Sequence, residues 1–226
     1  MRLLLFAILL LTASNCVPAQ SNSTPSAQAS SPSSAAALPQ DRHGGLSIAV
    51  DSYTDSERAK GKFGKSANPI PAGILPVEVF LKNETPHPIK VDLETVQLDV
   101  HFDSGDHQNL DWLSINRVAT LIVHPGGTPS APSERRFPIG LSTNKDKKVD
   151  NIAGQLRPFA LDSGLVPPLG TTHGFLFFNM SHDFAAASKA SLYVPDVSLL
   201  PDKAPLMFFE VPLASPPSSS PQASQD

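Results

Sequence analysis

One cysteine, one tryptophan and 17 % charged residues in 226 are low counts, and each removes a class of explanation. A lone thiol forms no internal disulfide, so the fold rests on burial and hydrogen bonding. With 17 Lys and Arg against 21 Asp and Glu, the net charge is -4 and no basic stripe is available for a phosphate backbone. Nucleic acid is therefore not an expected partner. No apolar run reaches the roughly 20 residues that a permanent membrane-spanning helix needs. What the chain does have is proline, 23 residues of it, which fits strands, turns and linkers better than a helical bundle.

The N-terminus MRLLLFAILLLTASNCVPA carries one positive charge, an apolar stretch from Leu3 to Leu11 and small residues beyond it. Residues 1–19 read as a signal peptide, which places the working protein outside the cytoplasm, periplasmic or secreted. Val17-Pro18-Ala19 favours cleavage after Ala19. The alternative is lipidation at Cys16, which would make the protein a membrane-anchored lipoprotein; Asn15 in front of it and Ala13 weigh against that. A membrane is a partner only if Cys16 is lipidated.

Apolar residues are sparse from 20 to 42, a Ser/Pro/Ala-rich segment expected to be a disordered linker, and again in the tail 214–226. Between them residues 43–213 are expected to form one domain. Leu46, Ile48 and Val50 alternate with more polar residues, as do Leu75, Val77, Val79 and Leu81, and then Ile89, Val91 and Leu93. Asn83 to Pro88 supplies turn residues, so the last two runs are expected to pair as a hairpin.

The apolar side moves from odd to even positions between Leu93 and Val96. A one-residue slip reverses every later side chain, so the chain must bulge or change sheets there. A second slip separates Leu192 and Val194 from Val197 and Leu199. Two slips favour a sandwich. The final strand is expected to carry Met207, Phe209, Val211 and Leu213 on one side, with Pro212 marking an edge. Ser56 to Lys62 can form a helical turn or more, Ser114 can cap a helix bearing Ile115, Val118, Leu121 and Ile122, and a second helix is expected from about Lys148 to Leu156. Residues of about 124–147 are expected to form a mobile loop.

From Gly45 to Leu213 the short alternating strands VEVFLKNETPHPIKVDL, SLYVPDVSLL and LMFFEVPL resemble bacterial extracytoplasmic immunoglobulin-like domains. The resemblance implies a mainly β, antiparallel β-sandwich with one or two short inserted helices, and a binding or scaffolding role in the envelope. Antibody domains differ: their inter-sheet cysteine pair is absent here, and Trp112 falls in a loop or helix.

Motifs for a nucleophile elbow, a hydrolytic metal helix, a phosphate loop or a dinucleotide fingerprint are missing. Asp103-Ser104-Gly105-Asp106-His107 offers two carboxylates and an imidazole to a hard cation, but Asp and Gly are also what a hairpin turn requires. No metal is assigned; His173, Met180 and His182 are the candidates, because a strand would put Met180 and His182 on one face and thioether with imidazole suits copper, whereas the plain reading is that Met180 fills a core gap and His182, next to Asp183, begins a turn. Phe175, Phe177 and Phe178 read as a buried central strand rather than the floor of a groove. Lys145, Lys147 and Lys148, with Arg135 and Arg136, form a basic cluster that reads as a solvated loop, or as a contact for an anionic polymer. Asn83-Glu-Thr and Asn179-Met-Ser match glycan acceptors.

The expected function is a non-enzymatic binding or scaffolding module with an envelope or extracellular protein or polymer as partner, and no catalytic residue or cofactor is assigned. The alternatives are an extracytoplasmic hydrolase whose carboxylates meet only in three dimensions, and a copper-binding protein using Met180 and His182.

Overall fold

The computed structural model describes residues 38–102, 105–125 and 144–214. The expected signal peptide 1–19 with Cys16 and Ala19, the linker as far as residue 37, Asp103 and Ser104, most of the expected mobile loop, and all but the first residue of the expected tail lie outside these. Residues 40–42, assigned to the linker from the sequence, belong to a strand. Gln40–His43 is strand β1, paired antiparallel with β2 (Leu46–Ser52) across the Gly44-Gly45 turn.

In β2 and β3 (Ile74–Asn83) the alternating residues do share a buried face. These strands pair with each other, and β3 pairs on its far side with the strand Thr171–Asn179, so β1, β2, β3 and this late strand make one antiparallel sheet. Its inner face carries Leu46, Ile48, Val50, Leu75, Val77, Val79, Leu81, Leu176 and Phe178.

The expected hairpin after β3 does not form. β4 (Ile89–Val91) pairs instead with the strands Val197–Leu199 and Leu165–Val166 in another sheet. Asn83 turns the chain out of the first sheet. Only 1 % exposed, it donates from Nδ2 to the carbonyls of His87 at 2.7 Å and Pro167 at 3.0 Å, and its Oδ1 accepts from the Thr85 N–H and hydroxyl, both at 2.8 Å. With these bonds made within one corner, Asn83 is no surface glycan acceptor. Pro86 and Pro88 add their own refusal of ladder donors.

Both parity slips are changes of sheet. After β4, a 3-10 turn at Leu93–Thr95 leads into β5 (Gln97–His101), which forms a hairpin with β6 (His107–Asp111). Helix α1 (Ser56–Phe63) lies between β2 and β3, α2 (Ile115–Val123) and α3 (Asn144–Leu156) follow β6, and β7 (Leu165–Val166) and β8 (Thr171–Asn179) come after them in the chain. β9 (Ala190–Val194) pairs with β5, whereas β10 (Val197–Leu199), just past the second slip, pairs with β4. β11 (Ala204–Pro205) and β12 (Phe209–Pro212) complete sheets ordered β11-β10-β4-β7 and β12-β9-β5-β6. All strand pairs are antiparallel, and inward residues of the last two sheets, among them Ile89, Val91, Leu98, Val100, Leu192, Val197 and Phe209, pack on the inner face of the first.

The fold is thus mainly β, a sandwich of one four-stranded layer against a layer made of two short sheets. Pro212 does sit on an edge strand. The last strand starts later than expected, at Phe209, and Met207 is 71 % exposed.

Among the described residues there are three α-helices, where one or two inserted helices were expected. Asp55 caps α1 by accepting from the Arg58 N–H at 2.7 Å, Ser114 caps α2, and α3 begins four residues before Lys148. All three cover the outer face of the first sheet at one end, where Tyr53, Ala59, Phe63, Val118, Ala119, Ile152 and Leu156 surround Ile74, Phe175 and Phe177. That covering explains the unbroken apolar run of β8, which is buried on both faces. The strand is not central, however: it ends its sheet, and its free edge is closed by two loop segments. The Leu113 N–H donates to the Phe177 carbonyl at 2.7 Å and the Leu161 N–H to that of Phe175 at 3.1 Å. Gly174 makes this approach possible, since a β-carbon there would lie 2.6 Å from the Leu161 nitrogen.

Replacing Asn83 with Ala should cost about 3 kcal/mol, because a buried hub of donors and acceptors loses its partner. Urea unfolding measures it, and a loss below about 1 kcal/mol would show that the corner holds without this side chain.

Candidate functional site

The three candidate metal residues, His173, Met180 and His182, are not arranged as a ligand set. β8 ends at Asn179, and Ser181 and His182 have φ of 50° and 72°, so the alternation needed to align Met180 with His182 is broken. Met180 is 3 % exposed and packs in the sandwich core. His182 is exposed, with Nε2 3.3 Å from the Pro71 carbonyl oxygen and its ring over Gly73, where a β-carbon would lie 2.9 Å from Nδ1. His173 belongs to the outer face of β8, stacked on Phe80.

A different set converges on the outer face of the β5–β6 hairpin. Leu98 and Val100 point into the core, so Asp99 and His101 point out, and the register sets His107 directly across from His101. The turn between them is the hairpin turn expected of the Asp/Gly segment, closed by the Phe102 N–H on the Asp106 carbonyl at 2.9 Å and by Gly105 at φ 87°. The two imidazole rings lie 4.7 Å apart. Asp99 Oδ1 forms an ion pair with His107 Nε2 and lies 3.7 Å from His101 Nε2. That oxygen is shut off from solvent and accepts no hydrogen bond of acceptable geometry. The three side chains bring one ligand atom each to within 4.8 Å of one another, the one such group found among the described residues. Sequence reasoning singled out His107 and the turn but missed Asp99 and His101; the signal was a five-residue turn that sets His101 opposite His107.

A second cluster surrounds Glu78 on the outer face of β3, at the rim of the helical layer. Glu78 is 6 % exposed; it accepts from the Tyr53 hydroxyl at 3.0 Å and from Lys62 Nζ at 3.2 Å, and His173 Nδ1 stands 3.8 Å away. Arg58, paired with Asp51, lies over the Tyr53 ring at 3.8 Å. Burial, then the bond to Glu78, pushes the Tyr53 phenol up to about 12. The carboxylate is matched by donors and the phenol is held protonated, as in a structural ion cluster.

The grooves are shallow. One of about 580 Å³ runs between α2, α3 and the Lys65–Pro71 segment, with Lys65 and Lys148 on its walls. Of the expected basic cluster, Lys147 and Lys148 are exposed on α3, while Arg135, Arg136 and the Lys145 side chain lie outside the described residues.

The class defined by this architecture is the antiparallel β-sandwich with a partial helical cover. Comparison with protein-family models, with curated proteins and with solved structures finds no match to this chain.

Tyr53→Phe should lower stability by about 1–2 kcal/mol, since it removes the donor from buried Glu78. The wild-type phenol has its pKa raised from 10.0 to about 12, so its contribution is complete below pH 10 and is lost as pH rises to 12. The stability gap between wild type and variant, measured by denaturant unfolding, should narrow over that interval; a gap that stays constant would refute the assignment.

Proposed function

We propose that this chain is a non-enzymatic binding module of the extracytoplasmic immunoglobulin-like kind, which engages an envelope or extracellular protein or polymer through the loops at one end of its sandwich. Four connections meet there. The Glu84 N–H donates to the Gly45 carbonyl at 2.8 Å, the Leu169 N–H to that of Thr85 at 3.0 Å, and His43 Nε2 lies 3.0 Å from the Phe208 carbonyl oxygen.

The observation that carries the reading is what these tied loops present: Leu169, Met207 and Phe208 are 74 %, 71 % and 49 % exposed. Large apolar side chains held in water by a fixed scaffold are the composition of a contact surface. Leu169 also has φ of 52°, a left-handed conformation that costs a leucine on the order of 1 kcal/mol. Beside them is a charged rim. Lys82 at 3.1 Å and then Arg42 hold the Glu84 carboxyl below its ordinary range.

The export segment supports an extracytoplasmic setting, with membrane attachment if Cys16 is acylated. A hydrolase has less support: the buried carboxylate Glu78 is already bonded to Tyr53 and Lys62, and no second carboxylate among its described partners shares the position.

The test is capture from an envelope extract by the immobilised protein, comparing wild type with the triple variant Leu169→Ser, Met207→Ser, Phe208→Ser. The wild type should retain a defined partner, and the variant at least ten-fold less of it, at unchanged melting temperature. Equal capture by both would remove these loops from the binding surface.

A further inference from the structure

We propose that Asp99, His101 and His107 form a binding site for one Zn²⁺ ion on the outer face of the β5–β6 hairpin. The proposal stands on this hairpin alone and does not depend on the loop-end surface.

Three observations point the same way. The strand period and the register bring together two imidazoles and one carboxylate from two strands without any loop having to fold over them. Asp99 Oδ1 is closed to solvent and faces both histidine Nε2 atoms, that of His107 in an ion pair and that of His101 at 3.7 Å, so its partners are nitrogens rather than water. A carboxylate oxygen closed to solvent between two imidazole nitrogens is an arrangement that a bound cation would complete. The rings are also free to adjust, with His101 and His107 side chains 64 % and 49 % exposed.

The donor set narrows the ion to a divalent transition metal, of which Zn²⁺ is the one proposed. Two neutral nitrogens and one carboxylate oxygen match a three-ligand zinc site with its fourth position open to water, whereas Ca²⁺ and Mg²⁺ need six or more oxygens. Bonds of about 2.0–2.1 Å in tetrahedral array place ligand atoms roughly 3.3 Å from one another. The 3.7 Å between Asp99 Oδ1 and His101 Nε2 is already close to that spacing. His107 lies nearer to Asp99 and must swing back, a rotation open to an exposed side chain on an edge strand.

The competing account is a plain ion pair between Asp99 and a protonated histidine, and zinc titration of the purified full chain decides between them. Calorimetry should give one equivalent of Zn²⁺. His101→Ala, His107→Ala and Asp99→Asn should each weaken binding at least ten-fold, while His173→Ala and His182→Ala leave it unchanged. Co²⁺ in place of Zn²⁺ should give visible d–d absorption that the three ligand variants lack. At a free Zn²⁺ concentration 100 times Kd, the wild-type melting temperature should rise by about 5–10 °C and that of the ligand variants should not. Zinc affinity and thermal shift in the ligand variants equal to wild type, or Ca²⁺ bound as tightly as Zn²⁺, would overturn the site.

Discussion

The second layer of the sandwich depends on two strands bending together at one place. β4 runs into β5 through Asp92 to Val96, and β9 runs into β10 through Pro195 and Asp196; Val91 pairs with Val197 before the bend and Leu98 with Leu192 beyond it. At the bend the Asp92 N–H donates to the Asp196 carbonyl at 2.9 Å. Each strand reverses its inward side there. Had one slipped alone, its later apolar residues would face water while its partner's faced the core. Because both slip in step, Val91, Leu98, Leu192, Val194 and Val197 are all at most 3 % exposed, and a single ribbon serves two sheets that wrap the inner face of the first.

The layers then determine what each outer face can be. On the first sheet the helices cover Ile74, Phe175 and Phe177 but stop short of Phe80 and Lys82, and Glu78 falls at the boundary. A carboxylate in that position is tolerable only with donors in place, and Tyr53 and Lys62 provide them. On the sheet that contains β5 the outward row brings Asp99 together with His101 and His107, whose rings stay exposed while the Asp99 Oδ1 atom is closed to solvent. Trp112 links the parts: its indole Nε1–H donates to the Leu93 carbonyl at 2.8 Å, in the turn of the bend, and its backbone bridges to Phe178 at the edge of β8.

How much of this could be read beforehand differs by kind of feature. The strands around Leu46, Leu75, Leu98 and Leu192 are visible as alternation, and the two parity slips mark the changes of sheet to within a residue or two. The cap at Ser114 marks the start of α2. The pairing of β3 was misread, because Asn83 to Pro88 has the composition of a hairpin turn; the side chain of Asn83 bonds instead to a carbonyl 84 residues away, at Pro167. His182 lies in a turn beside a buried Met180, the plain alternative to a metal pair. The residues around it look like the end of a strand, but positive φ at Ser181 and His182 breaks the alternation on which its pairing with Met180 depended.

By itself the sequence determined the local periodicities, the breaks between them and the absence of a cross-link, since side-chain period, capping and cysteine count depend on neighbours a few positions away. The tertiary structure alone decided which strands lie side by side, and with that the company of Glu78, the meeting of Asp99 with two histidines, and the exposure of Leu169, Met207 and Phe208. Those outcomes depend on long-range pairing and on which faces other layers cover, and no window of sequence contains that information.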